Sequence, residues 1–138
     1  MNAPMQTEEP PPGGGRTQPR GRNFLVVDDD AEMRDMMEQL VAFLGYHPIM
    51  AANGEQALQK LTEGRVDLVI TDIQMPGLSG LELLRILKEQ RPDLPVLMMS
   101  GCVFEAVKKT MRQYHADGFL PKPFSLEEFT RQIERVVK

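Results

Sequence analysis

The chain has 138 residues, a net charge of -4 and 41% hydrophobic residues, a composition typical of one soluble globular domain. The longest run of positive charge is Lys108-Lys109, so direct binding to nucleic acid is not expected. No apolar stretch approaches the ~20 residues of a membrane span, and the amino terminus lacks the apolar segment of a secretory signal. The only cysteine, Cys102, excludes an internal disulfide and fits a reducing compartment. We therefore expect a cytoplasmic protein without membrane association.

The first 22 residues form a segment of distinct composition. They contain five of the eleven prolines and four of the eleven glycines. So little apolar surface cannot offset the entropy of ordering the chain. The sequence predicts a disordered arm over 1–22 and a single domain over 23–138.

Beyond the arm, short apolar runs alternate with segments of helical period. The predicted strands start near Asn23, cover 46–51, end at Asp72, start at Pro95 and start at Gly118. The predicted helices cover 31–44, run from the cap Asn53 to Gly64, run from the cap Ser79 to 90, cover 104–115 and follow Ser125. Strand followed by helix, five times over, predicts an α/β fold with a doubly wound parallel sheet.

Helix ends and core positions are also predicted. Asp30 is a candidate N-cap of the first helix and Gly45 its stop, while Ser125 and Glu128 have the spacing of a capping box. Four of the ten methionines, Met33, Met37, Met98 and Met99, fall on apolar faces, so we expect them to fill the core.

Four of the apolar runs stop at polar residues. The first ends at Asp28-Asp29-Asp30, the third at Asp72, the fourth at Ser100 and the fifth at Lys122. The carboxyl ends of parallel strands share one edge of a sheet, where open α/β folds bind ligands. In a sheet of order 2-1-3-4-5, the strands that end at Asp28 and Asp72 are neighbours. The sequence therefore predicts one site.

The carboxylates of Asp28, Asp29 and Asp72 would converge there. At ~5 Å and an effective dielectric constant near 20, each pair of like charges repels by ~3 kcal/mol. A cation would relieve this repulsion, and oxygen ligands suit Mg²⁺ or Mn²⁺ better than zinc. The alternative, that these acids only start the first helix, explains Asp30 but not Asp29 or Asp72.

Asp72 also has the chemistry of a nucleophile. A carboxylate beside a bound metal can attack phosphorus and form an acyl phosphate. Lys122 could pair with Asp72 at rest and with a phosphoryl oxygen afterwards, and Ser100 offers a hydroxyl group. Taken alone, Ser100 could equally start a turn and Lys122 could be a solvated surface residue.

Together these residues resemble the receiver domain of two-component response regulators, including the single-domain chemotaxis regulators. The resemblance rests on Val27 to Asp30, the run from Asp72 to Gly77 with Gly80, Ser100-Gly101, and Lys122-Pro123-Phe124, and it covers residues 23–138. It implies a flavodoxin-like fold with strand order 2-1-3-4-5. Each motif is weak alone, but the ordered set is specific.

The resemblance also implies a role for each site residue. Asp72 would accept a phosphoryl group from the phosphohistidine of a sensor histidine kinase or a histidine phosphotransfer protein. Asp28, Asp29, Asp72 and the backbone carbonyl of Gln74 would hold Mg²⁺. Ser100 and Lys122 would bind the phosphoryl group, and the Lys122-Pro123 bond would be cis.

Further implications concern the output. Ser100 and Phe119 would form the switch, through which the fourth helix, fifth strand and fifth helix change their binding of a downstream protein. The chain would catalyse only its own phosphorylation and dephosphorylation. Because it ends after the last predicted helix, we expect a single-domain receiver, although a piece of a larger regulator would look the same.

Two other functions remain open at this stage. A phosphatase of the haloacid dehalogenase type would use Asp28 as nucleophile, but Glu32 stands where that family expects threonine or valine. A degenerate receiver would bind proteins without phosphorylation, which the complete set of acids, Ser100 and Lys122 does not favour.

Overall fold

The computed structural model describes residues 22–101 and 104–137. Five strands alternate with five helices along the chain. The strands are β1 (Asn23–Val27), β2 (His47–Ala51), β3 (Leu68–Asp72), β4 (Val96–Ser100) and β5 (Gly118–Pro121). The helices are α1 (Ala31–Phe43), α2 (Gly54–Glu63), α3 (Gly80–Gln90), α4 (Glu105–Gln113) and α5 (Leu126–Val137). The predicted arm lies outside the described residues except for Arg22, and Cys102 also lies outside them.

The strands form one parallel sheet in the order β2-β1-β3-β4-β5. This confirms the predicted doubly wound, flavodoxin-like fold. The three central strands are buried on both faces, which is why their sequences are nearly continuous apolar runs. The sheet therefore brings the ends of β1, β3, β4 and β5 to one edge.

Two hydrophobic clusters cover the two faces of the sheet. Because strand side chains alternate, Leu25 and Val27 of β1 face α2, α3 and α4, whereas Phe24 and Val26 face α1 and α5. The predicted core methionines Met37, Met98 and Met99 are fully buried, and Met33 packs partly buried against the second cluster. No helix in the described part of the chain has the length and apolar character needed to cross a membrane.

Local side-chain chemistry sets the helix ends as predicted. Asp30 Oδ1 accepts a hydrogen bond from Glu32 N at 3.1 Å, and Gly45 follows α1 with φ 97°. At α5, Ser125 Oγ accepts from Glu128 N at 3.0 Å and Glu128 Oε1 accepts from Ser125 N at 2.8 Å, which completes the capping box. Asp30 and Ser125 thus fix where α1 and α5 begin, just after the carboxyl ends of β1 and β5.

Candidate functional site

The predicted site residues meet at the carboxyl edge of the sheet. Asp28 follows β1 directly, Asp72 and Ser100 are the last residues of β3 and β4, and Lys122 follows β5. In the strand register, Asp72 lies opposite Met99 and Ser100 lies opposite Pro121. One polar residue from each of four adjacent strands therefore reaches the same edge.

Three carboxylates converge at this edge. Asp28, Asp29 and Asp72 each place one oxygen so that all three lie within 4.8 Å of one another. Asp28 is fully buried, Asp72 is 9% exposed and Asp29 is exposed, so the cluster opens toward solvent on the Asp29 side. Hard oxygen donors at this separation fit a divalent cation such as Mg²⁺ that keeps some of its water.

Lys122 bridges two of the acids. Its Nζ lies 3.0 Å from Asp28 Oδ2 and 3.4 Å from Asp72 Oδ2. The sequence suggested Asp72 as its resting partner, whereas the structure shows a shorter contact with Asp28. The backbone N of Lys122 donates to Ser100 O at 2.8 Å, and the Lys122-Pro123 bond is cis, as the resemblance implied. Backbone and side-chain contacts together hold the ammonium group beside Asp72.

Asp28 is held from several directions. Its Oδ1 accepts from Asp30 N at 3.0 Å while its Oδ2 accepts from Lys122. Arg34 Nη1 donates to the backbone carbonyl of Asp28 at 2.8 Å, and Asp28 N donates to Ala51 O at 3.1 Å. No sequence motif indicated the contact from Arg34. Both carboxylate oxygens of Asp28 are thus already engaged within the protein.

Burial shapes the electrostatics of the pair formed by Asp72 and Lys122. Burial raises the pKa of the Asp72 carboxyl, and the charge of Asp28 raises it further, while Lys122 and the Ile73 N–H oppose these effects. Burial alone would lower the pKa of Lys122, but its hydrogen bond to Asp28 and the charges of both acids outweigh burial and raise it. Lys122 therefore stays protonated, and its positive charge only partly offsets burial, so the pKa of Asp72 remains above the usual value of a carboxyl group.

The loop after Asp72 folds back tightly against its own start. Gly80 N donates to Ile73 O at 2.8 Å, and a Cβ at Gly80 would overlap the carbonyl oxygen of Asp72. Gly77 has φ 76°, a conformation that favours glycine. Gln74, whose carbonyl the resemblance assigns to the metal, is an exposed residue of this loop.

The two predicted switch residues lie on neighbouring strands. Ser100 is 2% exposed at the end of β4, and Phe119 is partly buried on β5, opposite Met98 in the register. Phe119 packs against the cluster formed with α2, α3 and α4. Gly101 follows Ser100 at the surface, and within the described residues a Cβ there would meet no atom within 4 Å.

Sequence comparison identifies the family. A sequence model of the response regulator receiver domain matches residues 24–134. The chain belongs to this family. Response regulator MprA of Mycolicibacterium vanbaalenii is 35% identical over 115 residues, which cover 83% of this chain and 50% of that protein. MprA of Mycobacterium ulcerans is 34% identical over the same length. The chain spans about half the length of these curated relatives.

Solved receiver structures have the same fold. Chemotaxis protein CheY4 of Vibrio cholerae matches with a TM-score of 0.80 and 30% identity, over 84% of this chain and 98% of that one. Response regulator TrrA of Thermotoga maritima, in complex with Mg²⁺-BeF, matches with a TM-score of 0.75 and 31% identity, over 83% and 97% of the two chains. These similarities confirm the resemblance found in the sequence.

Proposed function

We propose that this receiver domain takes a phosphoryl group onto Asp72 from the phosphohistidine of a sensor histidine kinase or a histidine phosphotransfer protein. The observation that carries the proposal is the convergence of three carboxylates and Lys122 at the strand ends. Asp72 is the acid of this cluster that combines partial exposure with a neighbouring ammonium group. The chain would thus serve as a phosphoacceptor in a two-component phosphorelay.

The oxygen donors support a resident Mg²⁺, with Mn²⁺ as a second candidate. Asp28, Asp29 and Asp72 would hold the ion together with the backbone carbonyl of Gln74. When bound, the ion would neutralise charge on the attacking carboxylate and on the phosphoryl oxygens. The TrrA relative was solved with Mg²⁺-BeF, which supports the same assignment here.

Asp72, Lys122 and Ser100 carry out the phosphoryl transfer itself. An oxygen of Asp72 forms a bond to phosphorus while the bond from phosphorus to the donor imidazole nitrogen breaks, and the imidazole keeps that electron pair. The product on Asp72 is an acyl phosphate. Lys122, held beside Asp72 by Asp28, donates to one phosphoryl oxygen, and the Ser100 hydroxyl donates to another.

Phosphorylation would change the binding of a downstream protein at the surface formed by α4, β5 and α5. Phosphorylation draws Ser100 toward the phosphoryl group, and Phe119 turns into the space behind it. Phe119 lines a groove of about 360 Å³ on this surface. Its other apolar lining residues are Met111 and Ala116. Its charged ones are Lys108, Arg112 and Arg135 against a single acid, Asp117, so the lining is net positive. This charge favours a downstream protein that presents an acidic segment.

The haloacid dehalogenase alternative is weaker in light of this geometry. It needs Asp28 as nucleophile, yet Asp28 is fully buried and both of its carboxylate oxygens accept hydrogen bonds. A degenerate receiver would not need Lys122 between two acids.

Location in the cytoplasm remains a prediction from the composition of the chain.

The test is phosphorylation by a small acyl-phosphate donor with Mg²⁺, followed by intact-mass measurement. Wild type should gain one phosphoryl group, and Asp72→Asn should gain none. Asp30→Asn is the matched control, because Asp30 lies beside the cluster but caps α1, and asparagine caps equally well. A full mass gain in Asp72→Asn would remove Asp72 from the mechanism.

A further inference from the structure

The first turn of α2 contacts the loop that follows the phosphoacceptor. Gly54, the first residue of α2, faces Leu78 in the loop between β3 and α3. A Cβ at Gly54 would lie 2.8 Å from both Cβ and Cδ2 of Leu78 and 2.9 Å from its Cγ. Carbon atoms do not approach this closely without displacement, so the contact requires glycine.

Space rather than backbone conformation explains this glycine. Only Gly45 and Gly77 have positive φ among the glycines in the described part of the chain, so Gly54 does not adopt a conformation that excludes alanine. Glycine also gives a helix less stability than alanine. The advantage of glycine at position 54 is therefore the space it leaves for Leu78, which packs against the hydrophobic cluster on this face of the sheet.

A second contact joins the same two segments. Glu55, the next residue of α2, lies over Gly77, where a Cβ would be 3.4 Å from Glu55 Oε2. The far end of the loop is fixed by the Ser79 cap of α3 and by the hydrogen bond from Gly80 N to Ile73 O. The start of the loop is held by the hydrogen bond from Ile73 N to Met99 O and by the buried side chains of Ile73 and Met75. Leu78 is the point at which α2 fixes the later part of the loop through tight packing.

The position of α2 connects this contact to the acid cluster. The helix follows β2, and β2 is bonded to the end of β1 through Asp28 N and Ala51 O. The loop starts at Asp72 and contains Gln74. Asp72 itself is the last residue of β3 and is held by the sheet, so a shift of Leu78 away from α2 would move the loop that contains Gln74 relative to Asp28 and Asp72.

We propose that Gly54 is a positioning residue of the phosphorylation site. By leaving room for Leu78, it holds the loop after Asp72 so that the backbone carbonyl of Gln74 would converge with Asp28, Asp29 and Asp72 on Mg²⁺. The inference rests on the proposed function and adds to it a residue that contacts neither metal nor phosphoryl group.

The test compares the glycines at the two ends of α2, Gly54 in its first position and the C-cap Gly64. Gly54→Ala should weaken Mg²⁺ binding about tenfold or more, because displacing Leu78 misplaces the loop. Gly64→Ala, at the other end of α2, is the matched control, since a Cβ there meets no described atom within 4 Å. Mg²⁺ titration by NMR gives the affinity, and amide hydrogen exchange over 73–79 reports on the loop. Equal affinity and exchange in the two variants would overturn the inference.

A double-mutant cycle shows whether Leu78 transmits the effect. Leu78→Gly removes all three close atoms, so adding Gly54→Ala to it should change the Mg²⁺ affinity by less than twofold, well under the loss seen with Leu78 present. An equal loss in both backgrounds would mean that Gly54 acts elsewhere, and would contradict the proposal.

Two outcomes separate this inference from the proposed function. If wild type binds no Mg²⁺, the proposed function fails; if Gly54→Ala binds it like wild type, only the inference fails. Should Gly54→Ala not fold, Leu78→Ala removes the same anchor by deleting atoms. Weaker Mg²⁺ binding by the folded Leu78→Ala protein would support the inference, and unchanged binding would overturn it.

Discussion

Asp28 and Asp72 occupy equivalent places at the ends of adjacent strands, yet their surroundings give them different chemistry. Asp28 is fully buried, with one oxygen on a backbone N–H and the other on Lys122. Asp72 is less buried and lies 3.4 Å from the same ammonium group. Lys122 therefore links the fixed acid to the acid proposed to react.

Replacing Lys122 should reveal this link. Lys122→Ala leaves two buried carboxylates without their counter-ion, so stability without metal should fall by about 1–3 kcal/mol. Mg²⁺ should then raise the melting temperature of the variant more than that of wild type, because the ion no longer competes with an ammonium group.

Lys88→Ala supplies the control. Lys88 pairs with Asp117 at 2.6 Å, away from the acid cluster. That variant should lose stability but respond to Mg²⁺ like wild type. Thermal melts of all three proteins with and without Mg²⁺ decide the matter, and equal Mg²⁺ responses throughout would contradict the role given to Lys122.

Asp29 tests the metal assignment directly. Asp29→Asn removes one of three converging charges without altering the core, because Asp29 is exposed. The Mg²⁺ affinity should fall about tenfold or more, and phosphorylation should slow. Asp30→Asn should change neither. NMR titration with Mg²⁺ gives both affinities, and equal values for the two variants would make Asp29 only part of the start of α1.

At the scale of elements, the sequence was most informative where local chemistry decides the structure. Asp30, Asn53 and Ser79 each accept a hydrogen bond from the first turn of the helix they precede, as their residue types predict. Contacts between distant segments were not predictable in this way. The close packing of Leu78 on Gly54 depends on how α2 and the loop after β3 come together. No local sequence pattern specifies that arrangement.

Replacing Phe119 tests whether this side chain transmits the effect of phosphorylation from the acid cluster to α4 and α5. Phe119→Ala should still be phosphorylated at Asp72, because the side chain lies outside the acid cluster. The chemical-shift changes that phosphorylation causes in α4 and α5 should shrink strongly, since no ring remains to reorient. NMR spectra of both proteins before and after phosphorylation measure this. Full changes in the variant would exclude Phe119 from the switch.

For the molecule as a whole, the repeated strand and helix pattern predicted a doubly wound parallel sheet, the family resemblance supplied the strand order, and the strand ends predicted which residues meet. The central strands are buried on both faces of the sheet, so each appears in the sequence as a continuous apolar run with a polar residue at its end. The partners of individual charges were harder to predict. Lys122 reaches both Asp28 and Asp72, and Arg34 reaches the Asp28 carbonyl, because side-chain packing rather than spacing sets these contacts.

The hydrogen bonds of Arg22 lead to a prediction about the amino-terminal boundary of the domain. Arg22 Nη1 donates to Val137 O at 2.9 Å, and Arg22 O accepts from His47 N at 2.9 Å. Deleting residues 1–21 should leave the phosphorylation rate and melting temperature unchanged, because that segment has little apolar surface to bury. Deleting 1–22 should lower stability by about 1 kcal/mol through the lost hydrogen bonds. Melting curves and phosphorylation rates compare the two, and a large loss from the shorter deletion would show that 1–21 stabilises the domain.

Locating the phosphoryl group on the wild-type protein decides whether Asp72 is the phosphoacceptor. The chain is phosphorylated with an acyl-phosphate donor and Mg²⁺, the acyl phosphate is reduced with borohydride, and the altered residue is identified by peptide mass spectrometry. Modification is expected at Asp72 alone. Modification at Asp28, or at any residue other than Asp72, would contradict it.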